Sequence, residues 1–294
     1  MGGRIIASEA RQLAPIEERV LGVLDTIRRA RRVSASVASR ASPSISTARH
    51  SRPVTGLLFA DDHLLMTTTP IIALDVSTAQ DALELVDYFG DQCRFYKVGN
   101  ELFTIAGPAI VRELRARDRD VFLDLKFHDI PNTVAGGVRN AAALGVRLVT
   151  VHAAGGSAML DAAVEAAGDW CGVLAVTLLT SLDGAEVARA WGRTDPLDVG
   201  AEVLRLAELA VKAGAHGVVC SGREAASVRN RFADHLAILV PGVRASSGPA
   251  NDQARVVTPK EAAENGATYV VVGRMVTGAA DRRAALDSVL SALV

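Results

Sequence analysis

From Pro70 to the C-terminus, short apolar runs recur at intervals, and each is followed by a stretch in which apolar residues return every three or four positions. The first pattern predicts strands and the second amphipathic helices. Strands are expected at 71–74, 94–98, 121–125, 148–151, 173–178, 217–220, 238–240 and 269–272. Helical patterns fill the gaps, among them 79–89, 109–117, 158–167, 197–213 and 279–293. The runs are apolar throughout rather than alternating, as in a parallel sheet covered on both faces. Eight β/α units in about 225 residues predict an α/β protein of the (β/α)8 TIM-barrel class rather than an open doubly wound sheet. The GxGxxG fingerprint of the dinucleotide-binding alternative is absent.

The first 65 residues read differently. Between 28 and 52 the chain carries Arg28, Arg29, Arg31, Arg32, Arg40, Arg49 and Arg52 among serines and alanines, with no acidic residue. Such a stretch buries too little to offset the entropy of ordering and is expected to be disordered. Ahead of it, 16–32 has Val20, Leu21, Leu24 and Ile27 at helical spacing, which predicts one amphipathic helix. An Arg- and Ser-rich leader suits a targeting peptide, but Glu9, Glu17, Glu18 and Asp25 argue against that. A basic nucleic-acid arm is the other reading and a dispensable tail the plainer one. The expected organisation is therefore an extension over 1–65 and a barrel over 66–294, with Met66 a candidate start because MTTTPIIALDV opens directly into the first strand.

Composition narrows the partners. With 32 basic against 33 acidic residues the formal net charge is -1, so no whole-chain field recruits nucleic acid or a membrane surface. No apolar stretch reaches the ~18 residues of a membrane helix. Cys93, Cys171 and Cys220 form no CxxC pair and sit in or beside apolar runs, so buried reduced thiols and a cytoplasmic location are expected.

In a barrel of this kind the active site lies at the C-terminal ends of the strands. Polar residues fall there repeatedly: Asp75 after strand one, Lys97 on strand two, Asp124, Lys126 and then Asp129 on and after strand three, Thr180 after strand five, Arg244 after strand seven, Gly273 and Arg274 after strand eight. Any one of them alone reads as a solvated rim charge; a purely structural barrel has no need of so many. The densest cluster is DLKFHDIPNT at 124–133, where period-two alternation puts Asp124 and Lys126 on one face. Acids on either side give a charged lysine a place to sit, and a charged lysine is a proton donor. His128, and His152 after strand four, read as packed or supporting histidines. Gly273 and Arg274 stand where a short helix begins, a geometry whose amides and guanidinium suit an anion, and the Pro241–Arg244 turn would complete a phosphate cradle.

These segments together resemble the orotidine 5′-monophosphate decarboxylases. ALDV at 73–76, KVG at 97–99, DLKFHDIPNT at 124–133, LLTS at 178–181, PGVR at 241–244, DQARVVTP at 252–259 and VVGR at 271–274 are similar to that family's segments and in its order. The resemblance runs from about Pro70 to the C-terminus and does not touch the first 65 residues. It implies decarboxylation of orotidine 5′-monophosphate to UMP with no metal and no organic cofactor. It implies that Lys126 protonates C6 as CO2 departs, that Asp124 faces the substrate carboxylate, and that Lys97 and Asp75 hold ribose hydroxyls and orient the charges. It further implies that Asp129 and Thr133 reach into the site of the neighbouring subunit of a homodimer. Thr180 would bond the pyrimidine, Gln253 would bridge base and phosphate, and Gly273, Arg274 and Arg244 would hold the phosphate.

Two rivals remain at this point. Sugar-phosphate decarboxylases and aldolases on the same barrel also resemble DxKxxD at strand three, but use Mg²⁺ with a glutamate ligand at the end of strand two; here Lys97 would repel the ion. A non-catalytic phosphate-binding barrel, its basic tail recruiting RNA, would be expected to have lost part of the set Lys97, Asp124, Lys126 and Asp129, and none is missing.

Overall fold

The computed structural model describes residues 68–244 and 256–294. The helix expected over 16–32, the Arg-rich stretch over 28–52 and the candidate start at Met66 lie outside the described residues.

Eight parallel strands close into a barrel in chain order. They are β1 (Thr69–Ala73), β2 (Phe95–Gly99), β3 (Asp120–Phe127), β4 (Leu148–His152), β5 (Gly172–Val176), β6 (Gly217–Val219), β7 (Ala237–Val240) and β8 (Tyr269–Val272). The helices are α1 (Ala79–Phe89), α2 (Asn100–Ala106), α3 (Pro108–Ala116), α4 (Pro131–Ala143), α5 (Ser157–Ala167), α6 (Gly184–Ala190), α7 (Val199–Ala213), α8 (Gly222–Phe232), α9 (Pro259–Glu264), α10 (Arg274–Thr277) and α11 (Arg282–Ala292). The expected eight-stranded barrel is therefore the observed one.

Differences at the element ends have local causes. The fifth strand ends at Val176, two residues before the expected end: the Thr177 N–H still bonds the Val219 carbonyl, and Leu178 stays buried beyond the ladder. The helical pattern at 279–293 begins only at Arg282, because the Asp281 side chain accepts from the Ala284 N–H and caps the first turn. Asp198 likewise starts α7 at Val199 by accepting from the Ala201 N–H.

Strand alternation sorts the core into two sets. Ile72, Tyr96, Val98, Leu123, Val149, Val218, Ile238 and Val270 pack outward with the helices, among them Leu85, Leu114, Leu160 and Leu206. Ile71, Phe95, Phe122, Leu148, Leu174, Leu239 and Tyr269 fill the interior. Truncating a filler such as Phe122 to Ala would cost about 3–5 kcal/mol, transfer and cavity terms together. The N-terminal end of the interior is closed by His216, 3.3 Å from the Tyr269 hydroxyl, and by Arg147, which donates to Asp120 at 2.7 Å and lies 5.4 Å over the Phe95 ring. Two residues further along the inward-facing positions, Ile71 and Ala73 lead to Asp75, Phe95 to Lys97, Phe122 to Asp124 and Leu148 to Thr150. The same alternation that packs the floor thus delivers polar side chains to the other end.

All three cysteines are buried thiols. Burial pushes the Cys93 thiol up to about 11 and Cys171 up to about 12, so neither is a nucleophile near neutrality. Among the described residues no helix is long and apolar enough to cross a membrane.

Candidate functional site

A cavity of about 630 Å³ opens at the C-terminal end of the barrel, over the apolar residues Ala73, Phe122, Val176, Val219, Leu239 and Val271. Its polar wall is a row of alternating charge. Asp75 Oδ1 lies 2.8 Å from Lys97 Nζ, Lys97 Nζ 4.0 Å from Asp124 Oδ2, and Lys126 Nζ donates to both Asp124 oxygens at 2.9 and 2.8 Å. Exposure decides how this row is to be read: the Lys97 and Asp124 side chains are 11% and 13% exposed, so it is no set of rim ion pairs worth next to nothing. Asp124 has Lys97 and Lys126 beside it, which keeps the desolvation of this mostly buried part of the row tolerable, while Asp75 at 61% exposure stays largely solvated.

Asp124 and Lys126 do share one face, as the alternation predicts, but the backbone reaches that arrangement irregularly. Leu123 pairs with Val149 and Phe127 with Val151, so β3 takes four steps where β4 takes two. Lys126 sits at the crest of this bulge with φ 51°, in the left-handed region that a lysine rarely enters. Thr150 on β4 meets it: the Lys126 N–H donates to Thr150 Oγ1 at 2.9 Å, and that hydroxyl donates to Asp124 Oδ1 at 3.0 Å. Sequence reasoning missed Thr150, although a hydroxyl at an inward-facing position of an otherwise apolar strand was a usable signal.

The two histidines support the loop rather than line the cavity. The His128 and His152 rings stack at 5.2 Å, tilted 37°. Burial first, then the neighbouring His128 and Lys126, hold the His152 imidazole below its usual range. Glu101, also missed, lines the cavity with its carboxylate fixed by the Ser77 hydroxyl at 2.9 Å.

The remaining expected residues divide into three groups. Thr180, Arg244, Gly273 and Arg274 all line the same cavity as the charged row, Thr180 from the loop after β5 and the others from the turns after β7 and β8. Gly242 bends the β7 turn at φ 68°, and the Gly273 carbonyl accepts from Val276 and Thr277 to open α10 at the cavity wall. Asp129 and Thr133 stand apart: both are exposed and neither lines this cavity. Asp129 caps the backbone by accepting from the Ile130 N–H at 2.6 Å, and the Thr133 N–H bonds the Ile130 carbonyl. Gln253 lies outside the described residues. Among those described, no group of three or more His, Cys, Asp and Glu side chains is arranged to hold a metal ion.

The sequence profile of the "Orotidine 5'-phosphate decarboxylase / HUMPS family" matches residues 68–289. An orotidine 5′-phosphate decarboxylase of Alkalilimnicola ehrlichii is 52% identical over 219 residues, 74% of this chain and 92% of that protein. One from an Anaeromyxobacter strain is 49% identical over 221 residues, 75% of this chain and 96% of that protein. The crystal structure of orotidine 5′-phosphate decarboxylase from Lactobacillus acidophilus superposes with a TM-score of 0.68 at 36% identity, covering 77% of this chain and 99% of that one.

Proposed function

Because the chain belongs to the orotidine 5′-phosphate decarboxylase / HUMPS family, we propose that it converts orotidine 5′-monophosphate to UMP and CO2, the last step of de novo pyrimidine nucleotide synthesis. The observation that carries this reading is the row Asp75, Lys97, Asp124, Lys126 in a cavity that Arg244, Gly273 and Arg274 also line. The row suits a reaction that develops localised negative charge, and the two arginines suit a phosphate dianion.

Loss of CO2 from C6 leaves a carbanion with little delocalisation into the ring. The Lys126 ammonium, held by both Asp124 oxygens, stabilises that charge and then supplies the proton that completes UMP. Asp124 faces the departing carboxylate. At ~4 Å and an effective dielectric near 20 their repulsion is on the order of 4 kcal/mol, against the roughly 8–23 kcal/mol by which enzymes lower barriers. Repulsion is therefore the minor contributor. Preorganised charge is the larger one, together with phosphate binding energy spent on closing the site. Lys97 and Asp75 orient the row and hold ribose hydroxyls, Thr180 bonds the pyrimidine, Gln253 bridges base and phosphate, and Arg244, Gly273 and Arg274 hold the phosphate.

Asp129 and Thr133 are exposed and do not line their own cavity, which supports a homodimer in which they complete the partner's site. Residues 1–65 form an extension outside the catalytic unit; the family match beginning at residue 68 supports that boundary. The buried thiols suit a reducing cytoplasm. The Mg²⁺-dependent sugar-phosphate reading is disfavoured by Lys97, whose ammonium occupies the position where that reading needs an acidic ligand. The discriminating assay follows orotidylate loss by ultraviolet absorbance with EDTA present. Undiminished turnover is expected; activity lost to EDTA and restored by Mg²⁺ would overturn the assignment in favour of the sugar-phosphate reaction.

A further inference from the structure

We propose that Thr150 is a positioning residue of the decarboxylation, a single hydroxyl that sets both charges facing the reacting carbon. This rests on the decarboxylase reading above and extends it by one residue.

The bulge in β3 creates a problem that Thr150 solves. Four residues of β3 stand against two of β4, so the amide of Lys126 loses the carbonyl partner that a regular ladder would give it. A buried N–H left without a partner is costly enough to pull the strand back into register. Regular β geometry would keep Lys126 on the same face as Asp124 but without the left-handed turn at which its Nζ meets both Asp124 oxygens. Thr150 Oγ1 takes that N–H at 2.9 Å and so fixes Lys126 at φ 51°.

The same oxygen carries one hydrogen, and among the described residues it is given to Asp124 Oδ1 at 3.0 Å. Accepting from Lys126 therefore dictates the direction in which Thr150 donates. Thr150 is itself immobile. It is fully buried, its backbone is registered with Leu174 of β5, and its branched Cβ restricts the rotamer. Asp124 is thereby oriented from one side by a neutral donor and from the other by Lys126 Nζ, while Lys126 is fixed at its backbone by the hydroxyl that orients its own counter-ion. The arrangement closes a loop of three bonds, Lys126 N–H to Thr150, Thr150 to Asp124, and Asp124 to Lys126 Nζ. Removing the hydroxyl opens the loop at two points and leaves the phosphate end of the cavity untouched.

The test compares Thr150→Val, which keeps the shape and deletes the hydroxyl, with Thr150→Ser, which keeps the hydroxyl. For Thr150→Val, kcat should fall about tenfold to a hundredfold while KM and the affinity for UMP change by less than about threefold. Thr150→Ser should recover most of the lost turnover. Thr150→Ala is read against Thr150→Ser in the same way if the valine variant does not fold. A crystal structure of the valine variant should show Lys126 out of the left-handed region and its Nζ withdrawn from Asp124. Wild-type turnover in Thr150→Val, a loss in Thr150→Ser equal to that in Thr150→Val, or an unchanged Lys126 backbone in the variant crystal would each overturn the proposal. If the unmodified protein fails to consume orotidylate, the decarboxylase reading falls instead, and the crystal still decides what Thr150 does to Lys126.

Discussion

A Cβ atom on Gly99 would lie 2.9 Å from the Lys97 Nζ and 3.6 Å from Asp75 Oδ1. The backbone there, φ -96° and ψ -175°, is one that any residue adopts, so space rather than conformation asks for glycine. The atom in the way is the tip of a flexible side chain, so Gly99→Ala should fold, with the ammonium displaced. We expect a melting temperature close to wild type and kcat/KM lowered at least about tenfold, roughly 1.4 kcal/mol of transition-state stabilisation. Wild-type kinetics in this variant would mean that Lys97 has latitude the row does not need.

Arg274 is exposed at the start of α10 and lines the cavity. If it is the phosphate ligand proposed above, it acts mainly through binding and site closure. Arg274→Ala should raise KM by at least about tenfold with a smaller fall in kcat, and added phosphite should restore part of the rate. An unchanged KM would contradict the phosphate assignment.

The exposed Asp129 gives the proposed homodimer its test. Lys126→Ala and Asp129→Ala homodimers should each be nearly inactive. In a mixed dimer one site collects both defects and the other has neither. Random exchange makes about half the dimers mixed, so recovery to roughly a quarter of wild-type activity per total chain is expected. A mixture that stays inactive after exchange is verified by tagged co-purification would assign Asp129 to its own chain's site.

Burial first, and then the charge of Arg147, holds the His216 imidazole down at about 4, against an ordinary value of 6.5. The unfolded chain takes up a proton as pH falls through 6.5, whereas the folded chain does so only near 4. The stability that neutral His216 lends is therefore complete above pH 6.5 and is lost as pH falls towards 4, by about 3 kcal/mol. His216→Gln keeps a polar group near the Tyr269 hydroxyl but does not titrate. Between pH 6 and 4.5 its unfolding free energy should depend on pH less steeply than wild type by about one proton. Equal slopes, measured by urea titration, would locate the acid sensitivity elsewhere.

A protein beginning at Met66 should match the full-length chain in kcat and melting temperature, because the family profile begins at residue 68 and every residue assigned to the site follows it. A large loss in either would place part of the catalytic unit in the extension.

The fold was legible because barrel strands are buried on both faces, so that Ile71 to Leu74 or Tyr269 to Val272 stand out as apolar runs between amphipathic helices. Legibility failed where burial and pairing part company, as at Leu178. It failed too where a single cap outweighs the periodicity, as at Asp281. In the site, the inward-facing parity that places Phe95 and Phe122 on the floor also places Lys97 and Asp124 above them, which is why those charges could be read from the sequence alone. Lys126 could be assigned to the same face, but its left-handed backbone could not be foreseen, because DLKF reads as regular strand. Thr150 escaped notice for the converse reason: one hydroxyl in LVTVH passes for a tolerated strand residue until the bulge opposite is seen.

The left-handed backbone at Lys126 also bears on protein engineering. A lysine held at φ 51° gives up on the order of 1 kcal/mol that a glycine, and in part an asparagine, would not. A library screened for heat resistance alone would gain that much at position 126 and lose the cation beside the mostly buried Asp124 carboxylate, so the ion pair outweighs the backbone and lysine is kept there for durability as well as for the proposed turnover.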